Sequence, residues 1–190
     1  MGSLSLFKSV FICAVAIALA SCAGTAMVRT EPGVAVPSGD TVHIRKVSDS
    51  ALGAYGAKGA NPYKARTSLL LKHDQSVFYV YELLIDASES LQFKLVSASM
   101  RDAAGAELGV LLSVDEIRQY WSEYRLPEEE AREIQAIIDR TYLGRTDFTF
   151  SSRKDRAYLL VFEGKGTMLD SVEARFELSL DGQVVTLVAK

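Results

Sequence analysis

The side chain with the most distinctive chemistry in this sequence is the thiol of Cys22. It follows Leu19, Ala20 and Ser21 at the end of an apolar stretch, and the only other cysteine is Cys13. The position of this thiol at the end of that stretch makes Cys22 the residue from which the location of the protein can be inferred.

The residues before Cys22 have the composition of an export signal. Residues 1–9 carry one charge, Lys8, residues 10–20 are apolar, and small residues continue to the cysteine. A helix of about 11 residues spans about 16 Å, roughly half of the hydrocarbon thickness, so this stretch is too short for a lasting transmembrane span. We expect residues 1–21 to be a signal peptide that takes no part in the fold.

The sequence Leu19-Ala20-Ser21-Cys22 resembles the lipobox of bacterial lipoproteins, in which the cysteine is acylated and becomes the first residue of the mature chain. The resemblance covers the leader only, and every position fits. It implies that Cys22 is the lipidation site, a diacylglyceryl cysteine, and that the protein resides in the bacterial cell envelope. A thiol readily forms the thioether to the diacylglyceryl group, and at about 0.8 kcal/mol for each buried methylene two or three acyl chains attach a protein stably to a membrane. An aspartate after the cysteine typically retains such proteins in the inner membrane, so Ala23 implies the outer membrane, facing the periplasm. The alternative is an ordinary signal peptide cut after Ala20, which would leave a free thiol.

Cysteine count and charge exclude several functional classes. Removal of residues 1–21 would leave Cys22 as the one cysteine, which excludes a disulfide framework and a cysteine-based metal site. The formal charge of the whole chain is −3, and loss of Lys8 makes it one unit more negative. This mild negative charge, without a basic cluster, argues against nucleic acid as a partner.

Ser151 and Lys154 have a spacing at which a lysine can activate a serine nucleophile. The Ser-x-x-Lys spacing resembles that of penicillin-binding proteins and β-lactamases. Those enzymes place the serine at a helix start and also use Ser-Asp-Asn and Lys-Thr-Gly, which this chain lacks. We interpret Ser151 as the end of a strand and Lys154 as a solvated turn residue, so no catalytic residue is predicted.

Candidate metal and phosphate sites in the sequence are weak. His43 and His73 lie in separate segments, so a zinc site would need the fold to bring them together with a carboxylate. The glycine-rich stretch 48–66 fits neither the P-loop nor the dinucleotide fingerprint, and we interpret it as a loose loop on which a partner can bind. Residues 128–133 are acidic but lack the ligand spacing of a calcium loop. No metal and no cofactor are predicted.

Tyr120, Trp121 and Tyr124 form the most concentrated aromatic group of the chain, and Trp121 is the only tryptophan. Such side chains are common anchors of protein interfaces, which makes these three residues a candidate partner-binding site. Together with Ile117 they also recur at helical spacing, so they can equally pack one side of a helix onto a sheet. We favour packing as the interpretation.

Most of the chain after residue 40 has the pattern of β-strands. Residues 172–180 alternate strictly between apolar and polar side chains, which indicates a strand with one buried face. Asp181 and Gly182 follow and predict a tight hairpin with residues 183–189. Further strands are predicted at 41–47, 77–86, 91–100 and 107–112, with 146–151 and 158–164 paired as another hairpin.

A helical hairpin is predicted to interrupt these strands at about residues 113–143. Ser113 and Glu116 fit a capping box that starts the first helix. Pro127 starts the second helix, whose first turn carries glutamates that the helix dipole favours.

Together these elements predict a mainly β (α+β) fold, an antiparallel β-sandwich of about eight strands. We expect a single domain at residues 41–190, and a flexible, proline-punctuated tether at residues 22–40 that reaches about 60 Å when extended. The predicted body is similar to the immunoglobulin-like sandwiches common in exported bacterial proteins. That resemblance is one of fold and implies no function.

Two functions remain open at this stage. The first is a non-enzymatic envelope lipoprotein that binds a protein or cell-wall partner, or has a structural role, while lipid on Cys22 holds it at the membrane. The second is an envelope hydrolase or wall-modifying enzyme with an unrecognised active site. An enzyme needs a convergent nucleophile, base and orienting group. Because the sequence indicates no such set, we expect a binding module and not an enzyme.

Overall fold

Nine β-strands and three α-helices make up the part of the chain that the computed structural model describes. That part comprises residues 34–35, 41–56, 61–66, 76–86, 90–143, 147–150, 156–166 and 168–190. The strands are β1 (Val34–Ala35), β2 (Thr41–Lys46), β3 (Ser76–Asp86), β4 (Leu91–Asp102), β5 (Gly109–Leu111), β6 (Asp147–Phe150), β7 (Arg156–Lys165), β8 (Val172–Leu180) and β9 (Gln183–Ala189). The helices are α1 (Asp49–Leu52), α2 (Val114–Ser122) and α3 (Glu128–Thr141), and a 3₁₀ turn at Gly53–Tyr55 follows α1.

The strands form two antiparallel sheets. Sheet A has the strand order β1-β2-β3-β7-β5, and sheet B has the order β6-β4-β8-β9. The sheets face each other across one apolar core, and α2 and α3 cover the opposite face of sheet A through a second core. This arrangement confirms the predicted fold class, a mainly β sandwich with a helical hairpin inserted between strands.

The core between the sheets, called the sheet core below, follows from alternation of apolar side chains along the strands. It consists of the buried side chains that β2, β3 and β7 direct toward β4, β8 and β9. In β8, Ala174, Phe176 and Leu178 are buried while the residues between them are half-buried or exposed. A β-bulge between Leu95 and Ser97 shifts the register of β4 against β8.

The second core, called the helix core below, exists because β3 and β7 are apolar on both faces. Phe78 and Val80 of β3 and Leu159 and Val161 of β7 pack with the helices and not with sheet B. A nearly continuous apolar run is typical of strands that are covered on both faces. The other buried members of the helix core are Leu52, Tyr63, Leu112, Ile117, Tyr120, Trp121, Tyr124, Ile134, Ile137, Ile138 and Tyr142.

The hairpin predicted at Asp181 and Gly182 is confirmed. Leu180 pairs with Gln183 across the turn, and the φ angles of Asp181 and Gly182 are 48° and 83°. Positive φ at both central residues is characteristic of a type I′ turn, whose twist matches that of the flanking strands. Asp181 Oδ1 also accepts a hydrogen bond from Gln92 N at 2.8 Å, which ties the turn to β4.

The two predicted helices correspond to α2 and α3. Ser113 Oγ accepts a hydrogen bond from Glu116 N at 3.2 Å, and Glu116 Oε2 accepts one from Ser113 N at 2.7 Å, so the capping box is confirmed. Hydrogen bonding of the Glu116 carboxylate to the backbone N–H of Ser113, followed by that to the Ser113 side chain, lowers the pKa of Glu116. Pro127 precedes α3, and three glutamates occupy the first turn of that helix.

The predicted pairing of residues 146–151 with residues 158–164 is wrong. β6 lies beside β4 in sheet B, whereas β7 lies between β3 and β5 in sheet A. Alternation along a strand indicates which face is buried but not which strand lies beside it. β7 is apolar on both faces at residues 159–162 and is buried there, which fits the middle of the sheet that is covered on both sides.

Two segments predicted to be loose contain regular structure. Residues 34–35, inside the predicted tether 22–40, form β1 and pair with β2. In the stretch 48–66, α1 forms, and Leu52 and Tyr63 are buried in the helix core. Burial of each large side chain contributes about 1.5–3 kcal/mol, which outweighs the low local propensity of a glycine-rich segment.

Candidate functional site

The aromatic group predicted on the first helix lies in the helix core. Tyr120, Trp121 and Tyr124 are 3%, 3% and 8% exposed. The ring centroids of Tyr120 and Phe78 of β3 lie 4.8 Å apart in a tilted arrangement, which adds to the stabilisation from apolar burial. The three rings pack the end of α2 against sheet A, as the packing interpretation requires, and their faces are covered in this structure.

Trp121 binds a segment of the chain itself through its indole nitrogen. That segment, residues 61–66, is called the strap below. Trp121 Nε1 donates a hydrogen bond to the backbone oxygen of Pro62 at 3.0 Å. The buried side chain of Asn61 donates to a backbone oxygen of α1 at 2.6 Å and accepts from Tyr63 N at 3.0 Å. The first half of the strap is therefore held by side-chain hydrogen bonds in place of a sheet or helix ladder.

The other end of the strap is bound by two tyrosines of the same aromatic group. Tyr120 OH accepts from Arg66 N at 3.0 Å, and Tyr124 OH donates to Arg66 O at 2.9 Å. The guanidinium of Arg66 pairs with Glu130 of α3 and lies 5.9 Å from the Trp121 ring centroid. Burial, followed by the hydrogen bond to Tyr124, raises the pKa of Tyr120, which keeps its hydroxyl protonated. The aromatic group thus binds the strap, a segment of the same chain, through hydrogen bonds to its backbone.

Glu82 is a buried carboxylate that sequence reasoning missed. Its side chain is 3% exposed, Arg45 Nε donates to Oε2 at 2.5 Å, and Tyr55 OH donates to Oε1 at 3.0 Å. Burial, followed by the charge of Glu82, raises the pKa of Tyr55 to about 12. Both carboxylate oxygens are engaged, so the group ties β2 and the 3₁₀ turn to β3. In the sequence, Glu82 stands out as the one charged residue between Val77 and Ile85.

The other candidate residues are not brought together by the described structure. Cys22, His73, Ser151 and Lys154 lie outside the described residues, so the lipidation site and the serine–lysine spacing stay predictions. His43 lies on β2 and is half-buried. The described ranges contain no group of three or more histidine, cysteine, aspartate or glutamate side chains arranged to hold a metal ion.

The outer face of sheet B, which points away from sheet A, carries a groove lined by polar and charged side chains. Ser99, Arg101, Glu173 and Arg175 line a cavity of about 130 Å³ on this face. A depression of about 600 Å³ adjoins it, shares Arg101 and Glu173, and extends to Lys190. Glu173 Oε1 lies 3.6 Å from an Arg175 nitrogen, and Oε2 lies 3.8 Å from Lys190 Nζ. Side chains of both charge signs therefore line the groove, which favours a polar or charged ligand over an apolar one.

Comparisons with known proteins add no family to these observations. No protein-family model, no curated protein and no solved structure matches this chain. The likeness to immunoglobulin-like sandwiches therefore stays a prediction. In the part of the chain that is described, no helix is both long and apolar enough to cross a membrane.

Proposed function

We propose that this protein is a bacterial envelope lipoprotein whose β-sandwich acts as a non-enzymatic binding or structural module for a protein or cell-wall partner. The observation that carries the proposal is the sequence Leu19-Ala20-Ser21-Cys22 after a short apolar leader. In a lipobox this cysteine receives the acyl chains, and two or more chains give stable attachment. Ala23 favours the outer membrane, with the body facing the periplasm.

The proposed binding surface is the outer face of sheet B, which none of the helices in the described residues covers. On the opposite side of the sandwich, α2, α3 and the strap cover sheet A and engage the aromatic group. The groove on sheet B can pair with a partner that carries charges of both signs, because it is lined by basic side chains and by acidic ones: Arg101, Arg175, Lys190, Asp102, Asp170 and Glu173. Charged groups at such a surface contribute mainly to specificity and association rate.

Substitution of Cys22 tests the anchor. We expect Cys22→Ser to abolish the lipid mass and to release the chain from membranes, because a serine hydroxyl does not form the thioether. Mass spectrometry of the purified chain and membrane fractionation measure the two effects. Cys13→Ser is the matched control and should change neither. A Cys22→Ser chain that keeps its fractionation, together with an unacylated wild-type chain, would contradict the proposal.

Substitution of Ala23 tests the proposed membrane. Ala23→Asp should keep the lipid mass but move the protein from the outer to the inner membrane, as separated on a density gradient. If the wild type and Ala23→Asp distribute alike between the two membranes, the outer-membrane assignment is contradicted. The lipid mass is measured separately and does not depend on that result.

Charge reversal tests the binding face. We expect Arg101→Glu combined with Arg175→Glu to reduce capture of envelope components by the lipidated protein from detergent-solubilised envelopes. Arg132→Glu reverses an exposed charge on α3, whose side chain is 74% exposed, and should leave capture unchanged. Equal capture by the wild type and both variants would contradict binding at the groove.

A further inference from the structure

β9 is an edge strand with little protection against pairing with another strand. It lies at the end of sheet B, and no described strand pairs with its outer edge. Its 7 residues contain no charge and no proline, and Val184 is 64% exposed. Natural sheets usually shield an edge with lysine, proline, a bulge or a short strand. β1, β5 and β6 are short, with 2, 3 and 4 residues, so β9 differs from the other edges.

The hairpin register determines which backbone groups of β9 point outward. In a two-residue hairpin the flanking pair, Leu180 and Gln183, is hydrogen-bonded, and hydrogen-bonded pairs then alternate with pairs that are not. Val184, Thr186 and Val188 therefore direct their N–H and C=O groups away from β8. The same three side chains lie on the outer face of sheet B, since their neighbours Leu187 and Ala189 are buried in the sheet core.

We propose that β9 pairs antiparallel with β9 of a second copy of this chain, about a two-fold axis at Thr186. Each strand would then continue sheet B into the other copy. In this register Thr186 faces Thr186 of the second copy, and Val184 faces Val188. Threonine pairs and β-branched apolar pairs directly opposite each other contribute roughly 0.2–1 kcal/mol each. The exposed Val184 is covered in both copies, because a two-fold contact repeats every interaction.

The outward row of β9 favours a second copy as the occupant of this edge. Val184, Thr186 and Val188 have the same order of residue types in both directions, so an antiparallel second β9 places matching side chains opposite each other. None of the 7 residues of the strand is charged, so the two-fold axis at Thr186 brings no like charges of β9 together.

Disulfide trapping tests the proposal on the full chain in membranes or detergent. Thr186→Cys should give a cross-linked dimer on non-reducing gels, because opposed residues in an antiparallel pair lie within disulfide range. Thr149→Cys is the matched control, since the same exposed residue type lies on β6, the other edge of sheet B, and should give none. Val184→Cys should also give none, because its two copies would be about 13 Å apart along the strands.

A charge on the edge tests the dimer without a cross-link. Thr186→Lys places two ammonium groups opposite each other, so a wild-type dimer should become a monomer, while an unchanged far-ultraviolet circular dichroism spectrum verifies the fold. The proposal is overturned if Thr186→Cys cross-links no more than Thr149→Cys, or if the wild type is a monomer. Stronger cross-linking of Val184→Cys than of Thr186→Cys would overturn the register. All these variants keep Cys22, so the outcomes do not depend on whether that residue carries lipid.

Discussion

The two cores on either side of sheet A share β3 and β7 but are built from different side chains. The sheet core joins two sheets with aliphatic and phenylalanine side chains, such as Phe162 and Phe176, whose ring centroids are 5.8 Å apart. Tyr81 packs on both rings, and its hydroxyl has no hydrogen-bond partner within the described structure. The strands that build this core pair their backbone polar groups in the two ladders, so most of its side chains need only apolar packing, although Tyr79 OH accepts a hydrogen bond from Leu169 N at 3.0 Å.

The helix core, by contrast, uses aromatic side chains with polar ends. Trp121 donates to Pro62 O, Tyr142 OH donates to Leu112 O, and the Tyr63 hydroxyl contacts Thr141 Oγ1 at 2.6 Å. Several of these partners lie in segments without a strand or helix ladder, such as the strap. Buried backbone groups in such segments need other partners. Amphipathic aromatic residues supply apolar area and a hydrogen bond from one side chain.

The largest effect expected from this comparison is that of Trp121→Ala. The substitution should lower the free energy of unfolding by about 3–5 kcal/mol, because it removes a buried ring and leaves a cavity. Urea denaturation followed by circular dichroism measures the change. Trp121→Phe is the control, since it keeps most of the ring but removes the bond to Pro62 O, and should have a smaller effect of about 1–3 kcal/mol. A nearly unchanged midpoint for Trp121→Ala would contradict a packing role.

Alkaline pH should destabilise the protein through its buried tyrosines, most of which lie in or beside the helix core. Burial is the first cause that raises the pKa of Tyr55, Tyr63, Tyr120 and Tyr142 above the ordinary value of 10.0, with Tyr55 at about 12. Burial also raises the pKa of Tyr81 in the sheet core. Above pH 10 these hydroxyls ionise in the unfolded chain but stay protonated in the folded chain. Stability is therefore fully present below pH 10 and falls as the pH rises.

Denaturation midpoints across the alkaline range, with tyrosinate absorbance as a second reading, measure this effect. Replacing Tyr142 with phenylalanine removes one of the raised groups and should make the decline with pH less steep. A stability that does not change above pH 10 would show that the tyrosines ionise alike in both states, and would contradict the buried positions described here.

The smallest effects come from removing single hydroxyl groups, and they separate the two cores most directly. Tyr142→Phe should destabilise the protein by about 1–3 kcal/mol, because Leu112 O loses its buried donor. Tyr81→Phe should change the stability by less than about 0.5 kcal/mol or raise it, since no hydrogen bond is lost. Thermal and urea denaturation of the pair measure the difference. If both substitutions lower the stability equally, the proposed difference in hydrogen bonding between the two cores is contradicted.

Elements with a short-range physical cause were predictable from the sequence. The capping box at Ser113 and Glu116, the helix start after Pro127 and the turn at Asp181 and Gly182 each depend on residues a few positions apart. Alternation along β8 likewise identified its buried face. The packing of Tyr120, Trp121 and Tyr124 followed from helical spacing, although their hydrogen-bond partners did not.

Long-range partners were not predictable from one sequence. β6 and β7 are close in the chain but lie in different sheets, because each strand pairs where its own pattern of apolar faces can be buried. Arg45 and Glu82 meet only because the register of β2 and β3 places them opposite each other. The strap is held by side chains more than fifty positions away, as the hydrogen bond between Trp121 and Pro62 illustrates.

The sequence by itself determined the fold class, the helical hairpin and the closing β-hairpin, and it predicts lipid attachment at Cys22. Each depends on local spacing and residue type, which the linear order of residues contains. Only the tertiary structure decided which strands are neighbours, that the aromatic group binds the strap, and that β9 is the last of the described strands in sheet B. Those features depend on which surfaces meet after folding, and many pairings of similar apolar faces are compatible with one alternating pattern.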